Sequence, residues 1–79
     1  MKVIVYSRNK CMQCKMMKNY FTRLKIPFQE VNVDEDEVGM NELKMLGFQS
    51  VPVTHIVNEE GHHWIKGFAP HEVSKLLKF

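Results

Sequence analysis

The sequence predicts an α/β fold, a four-stranded mixed sheet with helices on both faces, in the order β-α-β-α-β-β-α. Three observations predict it. Short β-branched runs alternate with longer segments in which apolar residues recur at helical spacing. Pro27 and Gly47 stand where breakers close the first two helical segments. The turn Asn58-Glu59-Glu60-Gly61 joins two late strands with no helix between them. A strand, a helix of about a dozen residues and another strand make a right-handed parallel crossover, whereas a short turn folds strands back antiparallel. Parallel and antiparallel pairs therefore share one sheet.

Each element has its own justification. Lys2 to Tyr6 is a short apolar run fit for a buried strand, ended by the polar break Ser7 to Lys10. Cys14, Met17, Phe21 and Leu24 then fall on one side of a helix that has ended by Pro27. Phe28 to Val33 is β-branched enough for a second strand. Asp34 to Asp36 is an acidic helix start, followed by an amphipathic stretch with Val38, Leu43 and Leu46. Val51 to Val57 is the third strand, with Pro52 tolerated near its beginning. His62 to Lys66 returns antiparallel, and Pro70 at a first helical position opens a last helix with Val73, Leu76 and Leu77 on one side. The core expected from these periods is Phe21, Phe28, Leu43, Leu46, Phe48, Val53, Leu76 and Leu77.

Length and charge narrow the function. With 79 residues there is room for one domain, 1–79, with one core. A net charge of +2, without a Lys and Arg run interleaved with aromatics, argues against nucleic acid as a partner. The apolar run Val3 to Tyr6 is too short for a signal peptide or a membrane span, so no membrane partner and a cytoplasmic location are expected.

The chemistry lies in Cys11 and Cys14. In a reducing compartment a pair so spaced is catalytic or metal-binding more often than structural, and a bridge across four residues would remove little denatured-state entropy. Cys11 follows the first strand and stands at the N-terminus of the first helix, where free N–H groups and the dipole favour an anion. Thiolate is the nucleophile in disulfide exchange, and such pairs have their nucleophile pKa lowered to around 4 to 7. Seven of the eleven Lys and Arg lie in the first 25 residues, with no acidic residue before Glu30, so Arg8, Lys10 and Lys15 add a positive field. Cys14, nearly one turn further in, is placed to resolve a mixed disulfide. Zinc needs four ligands, and no second Cys-x-x-Cys or close His pair of the required spacing accompanies His55, His62, His63 and His71. No metal is therefore expected, although an iron-sulfur cluster shared between two chains uses the same thiols. The histidines are expected at the surface, with His62 and His63 on opposite faces of their strand. Met12 offers a soft surface to a peptide, whereas Met16 and Met17 fit as packing within the helix.

Cys11-Met12-Gln13-Cys14, preceded by Tyr6-Ser7-Arg8-Asn9 and followed by Lys15, resembles the NrdH-redoxins, glutaredoxin-like proteins that use Cys-x-Gln-Cys. Val31-Asn32-Val33-Asp34, Leu46-Gly47-Phe48, Val51-Pro52-Val53 and Gly67-Phe68 with Pro70 extend the resemblance over nearly the whole chain. It implies a thioredoxin-like fold and a dithiol-disulfide oxidoreductase with no bound cofactor. By the same resemblance, electrons come from NADPH through thioredoxin reductase and pass to the large subunit of a class Ib ribonucleotide reductase. The resemblance also implies a cis Val51–Pro52 bond facing the cysteines. Partner contacts are expected at Lys10, Met12 and Gln13, at Val51 and Pro52, and at Gly67 and Phe68, in a protein that acts as a monomer. The alternative is a glutathione-dependent glutaredoxin acting as a general disulfide reductase, for which only Glu72 stands ready to hold the tripeptide. Two positions depart from the family's usual Trp-Ser-Gly-Phe-Arg-Pro. Trp64 comes one residue early, with Ile65 in its place, and Ala69 replaces the arginine. A one-residue shift in a strand turns Trp64 to the other face of the sheet.

Overall fold

The computed structural model describes residues 1–77, so Lys78 and Phe79 of the expected 1–79 domain lie outside the described residues. The elements are β1 (Lys2–Ser7), α1 (Met12–Arg23), β2 (Gln29–Asn32), α2 (Glu37–Met45), β3 (Val53–Asn58), β4 (Gly61–Lys66) and α3 (Pro70–Leu77). The strands lie in the order β2-β1-β3-β4. β1 is parallel to β2 and antiparallel to β3, and β3 is antiparallel to β4. This is the thioredoxin-like arrangement, a four-stranded mixed sheet with helices on both faces.

One face of the sheet carries Val3, Val5, Ile56 and Ile65, covered by Met17 and Phe21 of α1 and by Val73 and Leu77 of α3. The other carries Tyr6 and Val53, covered by Leu43 of α2 and by Val33, with Phe48 and Trp64 packed at its margin. Of the expected core, Phe21, Leu43, Val53 and Leu77 are buried, while Phe28, Phe48 and Leu76 are partly buried against the two clusters. Phe28 reaches Phe21 with ring centroids 5.7 Å apart.

Four helix positions differ from expectation. Leu24 follows the last helical residue as the C-cap and is exposed, because the chain turns there through Lys25 at φ 59°. Met16 is exposed too, and only Met17 of that pair is packing. In α2, Val38 and Leu46 point to solvent at 68% and 50% exposure. The inner face is instead Gly39, Met40 and Leu43. A Cβ built on Gly39 would stand 2.5 Å from Val31 Cγ1, so the glycine is what lets α2 lie close to β2. Asp36 caps this helix, its Oδ1 accepting the Gly39 N–H at 3.0 Å. Gly47, at φ 86°, ends it, with the Phe48 N–H donating to the Leu43 carbonyl at 2.9 Å.

The second strand is shorter than Phe28 to Val33. The third begins at Val53 rather than Val51, since Pro52 has no N–H to give the ladder. Trp64 is on the α2 face as its shifted position predicts. It pairs with His55, and its ring lies 5.9 Å from Tyr6 and 6.2 Å from Phe48, while Ile65 takes the buried place on the opposite face. His62 and His71 are at the surface, but His55 and His63 are half-buried. His55 stacks on Trp64 at 3.8 Å and shares a 2.8 Å hydrogen bond with His62, and His63 shares one of 3.0 Å with the Asn58 side-chain oxygen on the other face.

Candidate active site

Parallel pairing of β1 and β2 sets the loops that follow them side by side. Ser7 is the partner of Asn32, and the Val33 N–H donates to the Ser7 carbonyl at 2.8 Å. The two loops are clasped through Asp34. Its carboxylate accepts from the Arg8 guanidinium at 3.1 Å and from the Asn9 N–H at 2.8 Å, and the Asn32 amide donates to the Asn9 side-chain oxygen at 3.0 Å. Beneath them, Glu30 accepts from the buried Ser7 hydroxyl at 2.6 Å and from Lys18 at 2.7 Å. These bonds, from Lys18 first and then Ser7, hold the Glu30 carboxyl below its ordinary pKa against the opposing effect of burial. Asp34 is expected from the sequence as part of a helix start and of the Val31-Asn32-Val33-Asp34 run, with no role at the site. Its position at the end of the strand parallel to β1 is the sequence signal for its role in fixing this loop.

The loop delivers Cys11 to the N-cap of α1. Its backbone is extended at φ −115°, ψ 107°, and its Sγ accepts the Cys14 N–H at 3.2 Å. A sulfur held there by an amide and the helix dipole is favoured as an anion once the pair is reduced. Cys11 and Cys14 are joined as a disulfide with their Cα atoms 5.3 Å apart. Cys11 is partly accessible, whereas Cys14 is 1% exposed and lies on the side of α1 that carries Met17 and Phe21. A thiol attacking from outside therefore meets Cys11 and not Cys14.

Across from the pair, the Val51 carbonyl oxygen is 4.0 Å from Cys11 Sγ, and Val51–Pro52 is cis. Pro52 is buried, and its carbonyl accepts the Gly67 N–H at 2.8 Å, which ties the segment facing the cysteines to the end of β4. The structure thus brings together Cys11, Cys14, Val51, Pro52 and Gly67. Lys10, Met12 and Gln13 form the exposed rim, with Met12 71% accessible, and Phe68 is exposed one residue beyond Gly67. An apolar hollow of about 300 Å³ opens beside Val51, lined by Val33, Met40, Leu43 and Phe48. Among the described residues no three His, Cys, Asp or Glu side chains converge on a metal position, and no helix is long and apolar enough to cross a membrane.

The arrangement can exchange thiols for disulfides: an accessible sulfur at a helix start, a shielded one beneath it, and the cis Val51–Pro52 segment alongside. Known proteins with this sequence pattern and fold agree. The glutaredoxin family pattern matches residues 3–62. The glutaredoxin-like protein NrdH of Lactococcus lactis is 39% identical over 74 residues, covering 94% of this chain and 97% of that one. The NrdH protein of Escherichia coli is 30% identical over 76 residues, covering 96% and 89%. The solved structure of the E. coli NrdH-redoxin, a glutaredoxin-like protein with a thioredoxin-like activity profile, superposes with a TM-score of 0.84 at 29% identity, covering 96% and 95% of the two chains. The chain belongs to the glutaredoxin family, as a thiol-disulfide oxidoreductase of its NrdH-redoxin branch.

Proposed function

We propose that this protein carries electrons from thioredoxin reductase to a class Ib ribonucleotide reductase, with Cys11 as nucleophile and Cys14 as resolving thiol. The observation that carries the assignment of roles is the contrast in depth between the two sulfurs within one helical turn. Kinship with NrdH proteins supports the choice of partners. The Cys11 thiolate attacks one sulfur of the substrate disulfide, and the other leaves as a thiolate that takes up a proton. The Cys14 thiol then gives up its proton and attacks Cys11 Sγ, which releases the second substrate thiol and closes the Cys11–Cys14 disulfide. The reductase returns two electrons from NADPH. No bound cofactor takes part, since sulfur alone holds the electron pair. The substrate backbone lies along Val51 and Pro52, with Lys10, Met12, Gln13, Gly67 and Phe68 around it. The protein works as a monomer in the cytoplasm, where thiols are kept reduced.

The deciding assay follows NADPH consumption by the oxidised protein with thioredoxin reductase, beside the same assay with glutathione and glutathione reductase. Reduction by thioredoxin reductase alone is expected. Reduction by glutathione alone would make the protein a general glutathione-dependent glutaredoxin, with Glu72 in the first turn of α3 as the residue to test. With a disulfide substrate, Cys11→Ser loses all turnover. Cys14→Ser accumulates a covalent mixed disulfide, and unimpaired dithiol turnover in that variant would overturn the assignment of roles.

A further inference from the structure

Beside Cys11, a cleft of about 510 Å³ is walled by Arg8, Lys10, Lys15, Lys18 and Glu30, with Cys11 and Met12 also in its lining. Four cations and one carboxylate line it, but they are not equivalent. Arg8 is committed to Asp34 at 3.1 Å, and Lys18 to Glu30 at 2.7 Å. The bond from Lys18 is the first cause of the lowered Glu30 pKa, so the two are committed to each other. Among the described residues Lys10 and Lys15 have no carboxylate within 4.0 Å. They bracket the nucleophile: Lys10 directly precedes Cys11, and the Lys15 N–H closes the first helical turn on the Cys11 carbonyl at 3.1 Å. Lys10 sits at φ 56°, in the left-handed region that a lysine seldom adopts. Two exposed cations without internal partners, beside a sulfur that must meet a second macromolecule, leave a charge for that macromolecule to balance.

We infer that this cleft recognises an acidic peptide segment: the partner's redox-active cysteine is followed or preceded within a few residues by carboxylates that dock between Lys10 and Lys15. The inference rests on the oxidoreductase function proposed above and specifies its substrate. A polypeptide is favoured over a small anionic disulfide because Cys11 is met both by the cleft, which it lines, and by the Val51 carbonyl, 4.0 Å from its Sγ. A chain that reaches both the Val51 carbonyl and the sulfur is long enough to place side chains in the cleft. Like-charged segments are repelled by the same two residues, so the pair selects among disulfides as well as attracting one.

The test uses the full-length reduced protein and three synthetic peptide disulfides of identical length and cysteine placement, with two Glu, two Gln or two Lys beside the cysteine. Second-order rates of disulfide reduction are measured at low and high salt. The expected order is Glu above Gln above Lys, with an acidic-over-neutral advantage of about five- to tenfold at low salt, the range two exposed charge pairs supply. High salt should erase it. In Lys10→Asn/Lys15→Gln, where asparagine tolerates the left-handed backbone, the ratio falls close to one. In Lys25→Gln/Lys75→Gln, which removes the same net charge elsewhere, it is retained. The ratio separates docking from activation of Cys11, since a changed thiolate affects all three peptides alike. Equal rates for the three peptides, a ratio unmoved in the Lys10/Lys15 variant, or glutathione disulfide outcompeting the acidic peptide would each overturn the inference. Failure to reduce even the neutral peptide would instead overturn the oxidoreductase function beneath it.

Discussion

The two faces of the sheet are built differently. The face under α1 and α3 is closed chiefly by hydrocarbon: Val5, Met17, Phe21, Ile56 and Val73 are inaccessible to solvent, beside the buried Ser7 and Thr54. The face under α2 is covered by a single helix of nine residues, and polar contacts run through its margin. Tyr6 donates to Glu42 at 3.0 Å, and His55 meets His62 beside Trp64. Burial, and then the bond to Glu42, push the Tyr6 phenol up to about 12. Two helices can cover four strands, whereas one short helix cannot. The shielded cysteine lies on the inner side of α1, so the sulfur that must stay hidden is held on the face that two helices cover. Stability should therefore be concentrated under α1 and α3, and sensitivity to solution conditions under α2.

The largest test of that contrast is cavity formation. Phe21→Ala should cost about 3–5 kcal/mol and Leu43→Ala less, roughly 2–3 kcal/mol, because the thinner layer can collapse around the loss. Urea unfolding of the two variants measures both, and an equal or larger loss for Leu43→Ala would erase the distinction.

An intermediate effect is expected at Gly39. Alanine gains up to about 1 kcal/mol of helix propensity, but its Cβ meets Val31, whose branched side chain has little freedom to turn aside. Overpacking of this kind costs about 1–3 kcal/mol, so Gly39→Ala should be destabilising alone. In a Val31→Ala background the same change should become stabilising, and a double-mutant cycle would expose the coupling. Additive effects would mean that α2 can lift from the sheet without cost.

The smallest effect is a dependence on pH. Burial first, and the neighbouring His62 second, lower the pKa of His55, with Lys2 adding to them and Glu42 opposing. A histidine whose folded pKa is depressed resists protonation that the unfolded chain accepts. Its contribution is thus fully present above the ordinary histidine pKa of about 6.5 and declines as pH falls through that value. Thermal melts across this range should show the decline in the native sequence and a flatter profile in His55→Phe, which keeps the ring stack on Trp64. An unchanged slope would place the acid sensitivity elsewhere.

Much of the well-covered face was legible in the sequence, and less of the other. Cys14, Met17 and Phe21 follow the helical period and are all buried, so apolar spacing alone located the inner side of α1. The same reasoning found only Leu43 in α2, where the residue that makes the closest approach is a glycine, invisible to a search for apolar side chains, and Val38 and Leu46 were credited with its place. Trp64 was legible because register is binary: a shift of one residue leaves only the opposite face. His55 was not, since Trp64 directly opposite it and His62 on the diagonal come from a neighbouring strand whose register no local pattern records. At the active site, the cysteines and Val51–Pro52 could be named in advance, whereas the Asp34 clasp depends on two loops that are adjacent only after β1 and β2 pair.

The central position of β1 has a consequence for how the protein is made. This strand leaves the ribosome before the partners on either side of it, and its antiparallel neighbour β3 follows some fifty residues later. Neither the carbonyl beside Cys11 nor the sheet that supports α1 exists until Val51 and the strand after it have been synthesised. Until then the two thiols travel on a chain with no assembled site, open to any oxidant they meet. Closure of that long loop both folds the domain and confers selectivity on its sulfurs.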